Sequence, residues 1–437
     1  MKKINNSVIA LAFFIGFAHA NAQEKRTLTL DEAVQLGIQN SKSLKIDAAK
    51  IEEATADLLE AKNRQLPELK VSGSYMYLPL KPNINIKLPG VSSEGGPEVH
   101  QVAYGSANLS VPIYSGGRIK YGIESAKYLV EASKLSTEND KVAIAYNVAQ
   151  AYNNLFKANQ SIKVLEENLA ASQKRDETFL KMENNGLIAR NDRLKANLQT
   201  SNIELQLLEA KNNYNIANIN MDLLLGLPET TEIEVDENYI EEGEDVKTVD
   251  YYINTARENR KDLQALDKQR QAAALGTKAA KAENLPSIAF TGGYVAADIP
   301  KFLTIYNAVN VGVGISYNLS NLWKENSSLK QSRAREMQLT ATNELLNDNI
   351  KLDVNREYQN TDYSKKRIAV FEKSAEQANE NYRITKNKYD NGLATMTELL
   401  DADAAQIAAN VGVINAKADA ALAYRKLLQT TGTLTTK

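Results

Sequence analysis

Cysteine is absent from all 437 residues. No disulfide framework can hold the fold together, and no lipid can be attached through an N-terminal cysteine. Histidine occurs twice, as His19 and His100. His19 lies in a leader described below. His100 then stands alone in a Pro/Gly-rich loop and reads as a surface residue rather than a metal ligand. With six methionines and one such histidine, a soft-metal relay has no donor set. No glycine-rich phosphate loop and no Gly-x-Ser-x-Gly elbow occurs, so no cofactor and no catalytic motif is implied. The 54 acidic residues form many chance pairs, and their presence alone does not argue for a glycosidase. Glycine and proline are scarce, 21 and 9 residues, and clustered. The long tracts between the clusters suit long helices separated by a few irregular regions. No tract beyond the N-terminus runs for about 18 uncharged apolar residues, so no transmembrane helix is expected. The alanine-rich run from Ala402 to Ala423 is broken by Asp403, Gln406, Asn410, Lys417 and Asp419. An exported chain without such a helix can still enter a membrane as a β-barrel.

What is present begins with a leader. Lys2 and Lys3 precede an apolar stretch from Val8 to Ala18, and Ala18-His19-Ala20 and Ala20-Asn21-Ala22 are both small-x-small cleavage sites. Residues 1–22 are expected to be a signal peptide, with cleavage after Ala22 favoured over Ala20. Loss of Lys2 and Lys3 takes the formal charge from −2 to −4. That mildly acidic balance argues against nucleic acid as a partner.

The remainder is written twice. Residues 29–75 and 248–294 align at an offset of 219, pairing Thr29 with Thr248, Asn40 with Asn259, Leu66-Pro67 with Leu285-Pro286, and Tyr75 with Tyr294. Farther on the offset is 206: Ser110 pairs with Ser316, Asn185-Gly186-Leu187 with Asn391-Gly392-Leu393, and Gly226 with Gly432. The 13-residue length change falls between Tyr75 and Ser110 in the first copy, where an exposed loop accepts insertions. The chain is a tandem duplication, with a first repeat at 23–228, an acidic connector at 229–247, a second repeat at 248–432 and a tail at 433–437.

Each repeat carries the same elements. Thr29-x-x-Glu32 is a capping box, and a helix from Thr29 to about Arg64 is expected before Pro67. Two β-like segments follow, at about 69–78 and 103–114 in the first repeat and 288–297 and 308–319 in the second. Val309, Val311, Val313, Ile315, Tyr317 and Leu319 alternate with small and polar residues, a strand period. The apolar face of such strands packs on a second sheet in a soluble protein, or faces lipid in an outer-membrane barrel. Four strands cannot close a barrel, which needs roughly eight. A proline-free helical tract then runs over about 117–184 and again over 323–390. Ile368, Phe371, Ala375, Ala378, Tyr382, Thr385 and Tyr389 repeat in 3,4 alternation, a coiled-coil seam. Some 67 helical residues reach roughly 100 Å. Asn-Gly-Leu ends each long tract, since glycine supplies the positive φ of a tight reversal. Shorter returning helices are expected over about 191–225 and 397–429. The connector, with ten acidic residues and one lysine in 229–250, reads as solvated, with one short strand around Ile233–Val235.

This order, together with Val111-Pro112-Ile113-Tyr114-Ser115-Gly116-Gly117-Arg118 at the strand-to-helix junction and the two Asn-Gly-Leu turns, resembles the TolC-type outer-membrane efflux protein family over about residues 28–432. The resemblance implies a mainly α fold with a small β part. It implies a homotrimer whose twelve strands form one outer-membrane β-barrel, continuous with an α-helical coiled-coil barrel in the periplasm. The function it implies is a passive exit duct, not an enzyme, embedded in outer-membrane lipid and served by a periplasmic adaptor protein and an inner-membrane transporter. The rival from the residues alone is a periplasmic coiled-coil scaffold or adaptor without a pore.

The resemblance also assigns site residues. The tips Asn185, Gly186 and Leu187, and Asn391, Gly392 and Leu393, dock the adaptor. Asp192, six residues after Gly186, and Tyr389, three before Gly392, match the family's gate pair, an aspartate bonded to a tyrosine hydroxyl. Ala394 stands where the family often carries a second gate member, an arginine. Glu398 and Asp401, one helical turn apart, match the acidic rings that favour cations. Each has a plainer reading: Tyr389 closes the heptad seam, and Asp192, Glu398 and Asp401 are acidic residues near helix N-termini.

Overall fold

The computed structural model describes residues 25–80, 99–240, 246–300 and 302–434. The expected signal peptide, most of the Pro/Gly-rich loop and the last tail residues lie outside them. The helices are α1 (Leu30–Asn40), α2 (Lys42–Asn63), α3 (Arg118–Asn184), α4 (Arg190–Leu225), α5 (Val249–Asn259), α6 (Lys261–Ala282), α7 (Ser327–Asp390) and α8 (Met396–Thr430). The strands are β1 (Lys25–Leu28), β2 (Glu68–Tyr77), β3 (Gln101–Tyr114), β4 (Glu232–Val235), β5 (Ser287–Ile299) and β6 (Leu303–Ser316). The fold is mainly helical with a small sheet part. No helix among the described residues is long and apolar enough to cross a membrane.

The chain divides into two compact units. One takes the described residues up to Lys42, Asp140–Asn259 and those from Lys351 onward. Its core gathers Leu28, Val34, Val148, Tyr152, Leu155, Met221, Leu225 and Ile233, all buried. β1 pairs in parallel with β4, Lys25 opposite Glu232 and Leu28 opposite Val235. The Tyr152 hydroxyl donates to the Leu28 carbonyl at 2.8 Å and accepts from the Asp236 amide at 2.7 Å, so one side chain ties both strands to α3. Burial pushes that hydroxyl's pKa up to about 12, so it stays a donor. The Asn218 amide donates to the Thr231 carbonyl at 2.6 Å, and its oxygen accepts from the Ile233 amide at 2.9 Å.

Two expectations are corrected here. The connector is not a solvated segment throughout: Thr231, Ile233, Val235 and Tyr239 are buried. Its acidic residues alternate with apolar ones, and pairing with β1 turns the apolar set inward. The helix expected from Thr29 to about Arg64 is two helices. Ser41 takes an extended ψ of 121°, and the Asn40 side chain donates to the Leu225 carbonyl at 2.7 Å. Tertiary anchoring of Asn40 at the end of α4 thus interrupts the helix where no glycine or proline marks it. The partner position, Gly226, has φ 68°, and a Cβ there would lie 2.8 Å from that of Asn40, so glycine is required twice over. Arg260, with ψ 121°, likewise breaks α5 from α6, although there the Asn259 side chain donates to its own helix, to the Thr255 carbonyl at 3.0 Å.

The second unit holds Ser43–Asn139 and Arg260–Ile350. Its sheet is antiparallel, in the order β2-β3-β5-β6. Register aligns Val71, Ala107, Tyr294 and Val309 across the four strands, and beside them Leu69, Leu109, Gly292 and Val311. This face is apolar and aromatic, and on β2 and β6 it is open: Val71 is 75% and Val311 69% exposed. The opposite face aligns Lys70, Asn108, Gly293 and Asn310, with a Ser72–Ser106 hydroxyl bond of 2.9 Å. Pro112, which cannot donate to a ladder, sits where the β3–β5 register shifts. Among the described residues β2 and β6 are edge strands, each with one free side.

Candidate functional site

Two helical hairpins, α3–α4 and α7–α8, end in identical turns. Gly186 has φ 70° and Gly392 φ 71°. The Leu187 amide donates to the Met182 carbonyl and the Leu393 amide to the Lys388 carbonyl, both at 2.8 Å, the six-to-one bond of a Schellman cap. In that motif the residue after the glycine usually folds back on its own helix. Here Leu187 and Leu393 stay 70% and 77% exposed. Each turn therefore presents a bare leucine at its apex.

Behind the turns lies a small core of Phe179, Ala196, Met396 and Leu399, with Tyr382 and Tyr389 packed against it. Tyr389 meets Phe179 edge to face, ring centroids 5.8 Å apart. Burial raises the Tyr389 pKa first, and the charge of Asp192 raises it further. The structure thus brings Asp192 and Tyr389 within electrostatic reach. Among the described residues no hydrogen bond joins them; the Asp192 carboxylate faces Lys195 at 3.5 Å.

Glu398 and Asp401 are both exposed on α8. Glu398 is committed locally: it accepts from the Thr395 amide at 2.7 Å and from its hydroxyl at 2.9 Å, while Thr395 caps Glu398 in return. Those bonds, the backbone one first, hold its carboxyl below the usual carboxylate range. Asp401 has no such partner among the described residues. Ala394 leaves the second turn without a cation at that step.

A cluster that sequence reasoning missed lies deeper. Arg175 on α3 reaches Asp403 on α8 through two parallel bonds, of 3.1 and 2.6 Å. It also donates to the Tyr382 hydroxyl on α7 at 3.2 Å. The side chains are 15% and 7% exposed. Burial alone would lower the Arg175 pKa, but the bond and charge of Asp403 and the Tyr382 hydroxyl raise it overall. Ser172, next to this group, shares a 2.7 Å hydroxyl bond with Thr200 on α4. Four helices thus converge on one polar layer. The signal was symmetry: Arg175 lies eleven residues before Gly186, and Asp403 eleven after Gly392. Nearer the turn, Glu183 and Arg193 form a second ion pair across the first hairpin.

No group of three or more His, Asp or Glu side chains gathers as a metal site among the described residues. The arrangement holds helices together and offers two apolar apices; it sets up no nucleophile beside a base.

The fold is similar to that of known channels. The outer membrane protein VceC from Vibrio cholerae is 18% identical, with 92% of this chain and 96% of that one covered and a TM-score of 0.77. The CmeC outer membrane channel of Campylobacter jejuni is 19% identical over 93% and 86%, with a TM-score of 0.76. The open-state MtrE outer membrane channel of Neisseria gonorrhoeae is 18% identical over 93% and 89%, with a TM-score of 0.73. No curated protein sequence matches the chain. The family model described as outer membrane efflux protein matches residues 33–227 and 252–433. That match takes in both repeats, so the chain belongs to the outer membrane efflux protein family and is a passive channel-tunnel of a tripartite export system, not an enzyme.

Proposed function

We propose that three copies of the chain, exported by a cleaved signal peptide, close one twelve-stranded outer-membrane barrel above a periplasmic helical tunnel. The observation that carries this reading is the four-stranded sheet. It leaves β2 and β6 with one free edge each and turns an apolar face outward along both. Free edges of that length call for pairing, and a lipid-facing band is the setting in which such a face is stable. The family's habit of forming trimers supports three as the number.

The tip of the tunnel is the gate. Asp192 and Tyr389 stand close enough to interact, and a modest shift would join the carboxylate to the hydroxyl in a bond worth about 1.5–3 kcal/mol. Three copies of Glu398 and Asp401 form acidic rings that favour cations. Thr395 holds Glu398 ionised, which suits that role. Leu187 and Leu393 are the apolar contacts for a periplasmic adaptor, which couples the duct to an inner-membrane transporter. Purified protein in detergent should have the mass of three chains and conduct in planar bilayers. Asp192→Ala with Tyr389→Phe should raise the conductance, and Glu398→Ala with Asp401→Ala should shift the reversal potential toward lower cation selectivity. A water-soluble single chain that gives no conductance would overturn the proposal.

A further inference from the structure

A cavity of about 690 Å³ opens among α3, α6 and α7. Two bonds hold these helices together beside it. The Ser125 hydroxyl on α3 donates to the Ala272 carbonyl on α6 at 2.9 Å, and the Thr277 hydroxyl on α6 donates to the Glu336 carboxylate on α7 at 2.9 Å. Its lining belongs wholly to the second unit, so the cavity is complete within one chain and stands apart from the trimeric reading. Arg270 lies 12 residues before the end of α6 at Ala282, and Asn347 lies 20 residues after the start of α7 at Ser327. At 1.5 Å per residue, the lining sits roughly 18–30 Å from the helix ends that lead to the sheet. That distance takes it off the sheet's apolar band, so a bilayer lipid is not its occupant.

The lining is amphipathic. Leu135 on α3 and Leu263 on α6 supply apolar wall, and Asn343 and Asn347 on α7 supply amides. Its charges are unequal. Three cations, Lys134, Lys268 and Arg270, face two carboxylates, Glu131 and Asp267. Both carboxylates are engaged: Glu131 holds Lys268 at 2.7 Å, while Asp267 accepts from the Gln271 amide at 2.7 Å and meets Arg270 at 3.5 Å. The cations are not used up. Lys134 has no ion pair among the described residues. The Nε of Arg270 is buried without an acceptor, and a buried donor calls for one. Surplus positive charge, spare N–H groups and an apolar wall together suit an organic anion. The volume lies within the roughly 300–1,000 Å³ of small-molecule sites.

The duplication supplies a control. At the matching positions α2 carries Ala48, Ala49 and Ile51 in place of Asp267, Lys268 and Arg270. Likewise α7 carries Met337, Thr340 and Ala341 in place of Glu131, Lys134 and Leu135. Both of those helices form without the charges, so the architecture does not require them.

We propose that this cavity binds amphipathic organic anions of drug-like size, one per copy, on the helical wall of the duct.

The test uses the full chain in dodecyl maltoside, a neutral detergent, with naphthalene-2-sulfonate as the probe and protein-free micelles as the blank. Titration calorimetry should show saturable binding of about one probe per chain, with a Kd of roughly 0.01–1 mM. Naphthalen-2-ylmethylammonium, a cation of the same shape, should bind at least about tenfold more weakly. Lys134→Glu and Arg270→Gln should each weaken binding of the anion by about tenfold or more. Lys134 is exposed, so its replacement leaves the packing intact. Leu263→Trp should fill the space and abolish binding. Thr340→Glu, at the position of the second repeat that matches Lys134, should leave binding unchanged. No saturable binding above the blank, equal affinity for the cation, or binding untouched by both Lys134→Glu and Arg270→Gln would overturn the assignment.

Discussion

Removing the Asp403 carboxylate should loosen the end of α8 more than any other single truncation at the tip. Asp403→Ala deprives Arg175 of both parallel bonds, of 3.1 and 2.6 Å. The guanidinium keeps only hydroxyl partners, Tyr382 and Ser172. Breaking a fully buried pair from one side costs about 3–5 kcal/mol. Arg175 retains some solvent access, 15% of its side chain, which lowers the cost to about 2–4 kcal/mol. In amide hydrogen exchange that is roughly 30- to 1000-fold faster opening of the last turns of the hairpin. Asp403→Asn keeps one acceptor and should cost about 1–2 kcal/mol. Arg175→Met with Asp403→Leu removes both charges and fills the space, so most of the loss should be recovered. The assay is exchange followed by mass spectrometry on detergent-purified protein, with peptides of α8 around Leu399–Ile407 as reporters and peptides of β5 as the internal control. If both single variants change α8 exchange by less than about threefold, or the double variant is no better than Asp403→Ala, the pair contributes nothing and the reasoning fails.

Two further outcomes are expected. Asp222 is fully buried, and burial, then the charge of Glu229, pushes its carboxyl up to about 6. An unfolded aspartate titrates near 3.9, so the folded state holds the proton more tightly; the contribution of Asp222 to stability is greatest below about pH 4 and falls as pH rises to about 6. Asp222→Asn should flatten that slope and add on the order of 1–3 kcal/mol at pH 7, measured by urea unfolding at several pH values; an unchanged slope would clear Asp222 of responsibility. Val311→Arg, on the open apolar face, should destabilise the inserted protein by about 2–4 kcal/mol if it lies at mid-bilayer depth, whereas Asn310→Arg on the opposite face should be tolerated; equal effects would mean the face does not meet lipid.

Much of the architecture is legible in the residues, because it rests on local rules. Alternation from Val309 onward is a strand period that survives any context, and the proline-free tracts are helical by propensity and seam alike. Asn-Gly-Leu marks the reversals, since no other residue takes positive φ as cheaply as Gly186 and Gly392. What escaped reading was decided at long range. β1 has four residues, too few to show a period; the short strand around Ile233–Val235 is legible, but its parallel pairing with β1, held by Tyr152 and Asn218, is not. The break at Ser41 has no local cause; Asn40 is held by Leu225 across the fold. At the tip, the turns are legible as Asn-Gly-Leu, and the neighbourhood of Asp192 and Tyr389 is implied by the family resemblance. The Arg175–Asp403 pair spans 228 residues, and in the sequence Asp403 is merely an interruption in an alanine-rich run.

The unit that contains the tip is assembled from three stretches separated by the other unit's chain, and its last stretch begins only at Lys351. A polypeptide threaded through an export pore from its N-terminus delivers Lys25–Leu28 long before Glu232–Val235 arrive to pair with them. Ala418 and Leu427, both fully enclosed, come last of all. Maturation must therefore wait for the entire chain to emerge. Until then the early segments stand unpaired, with their apolar surface uncovered. A ribosome stall or truncation near the C-terminus would leave not a shortened channel but an unfinished one, fit for proteolysis.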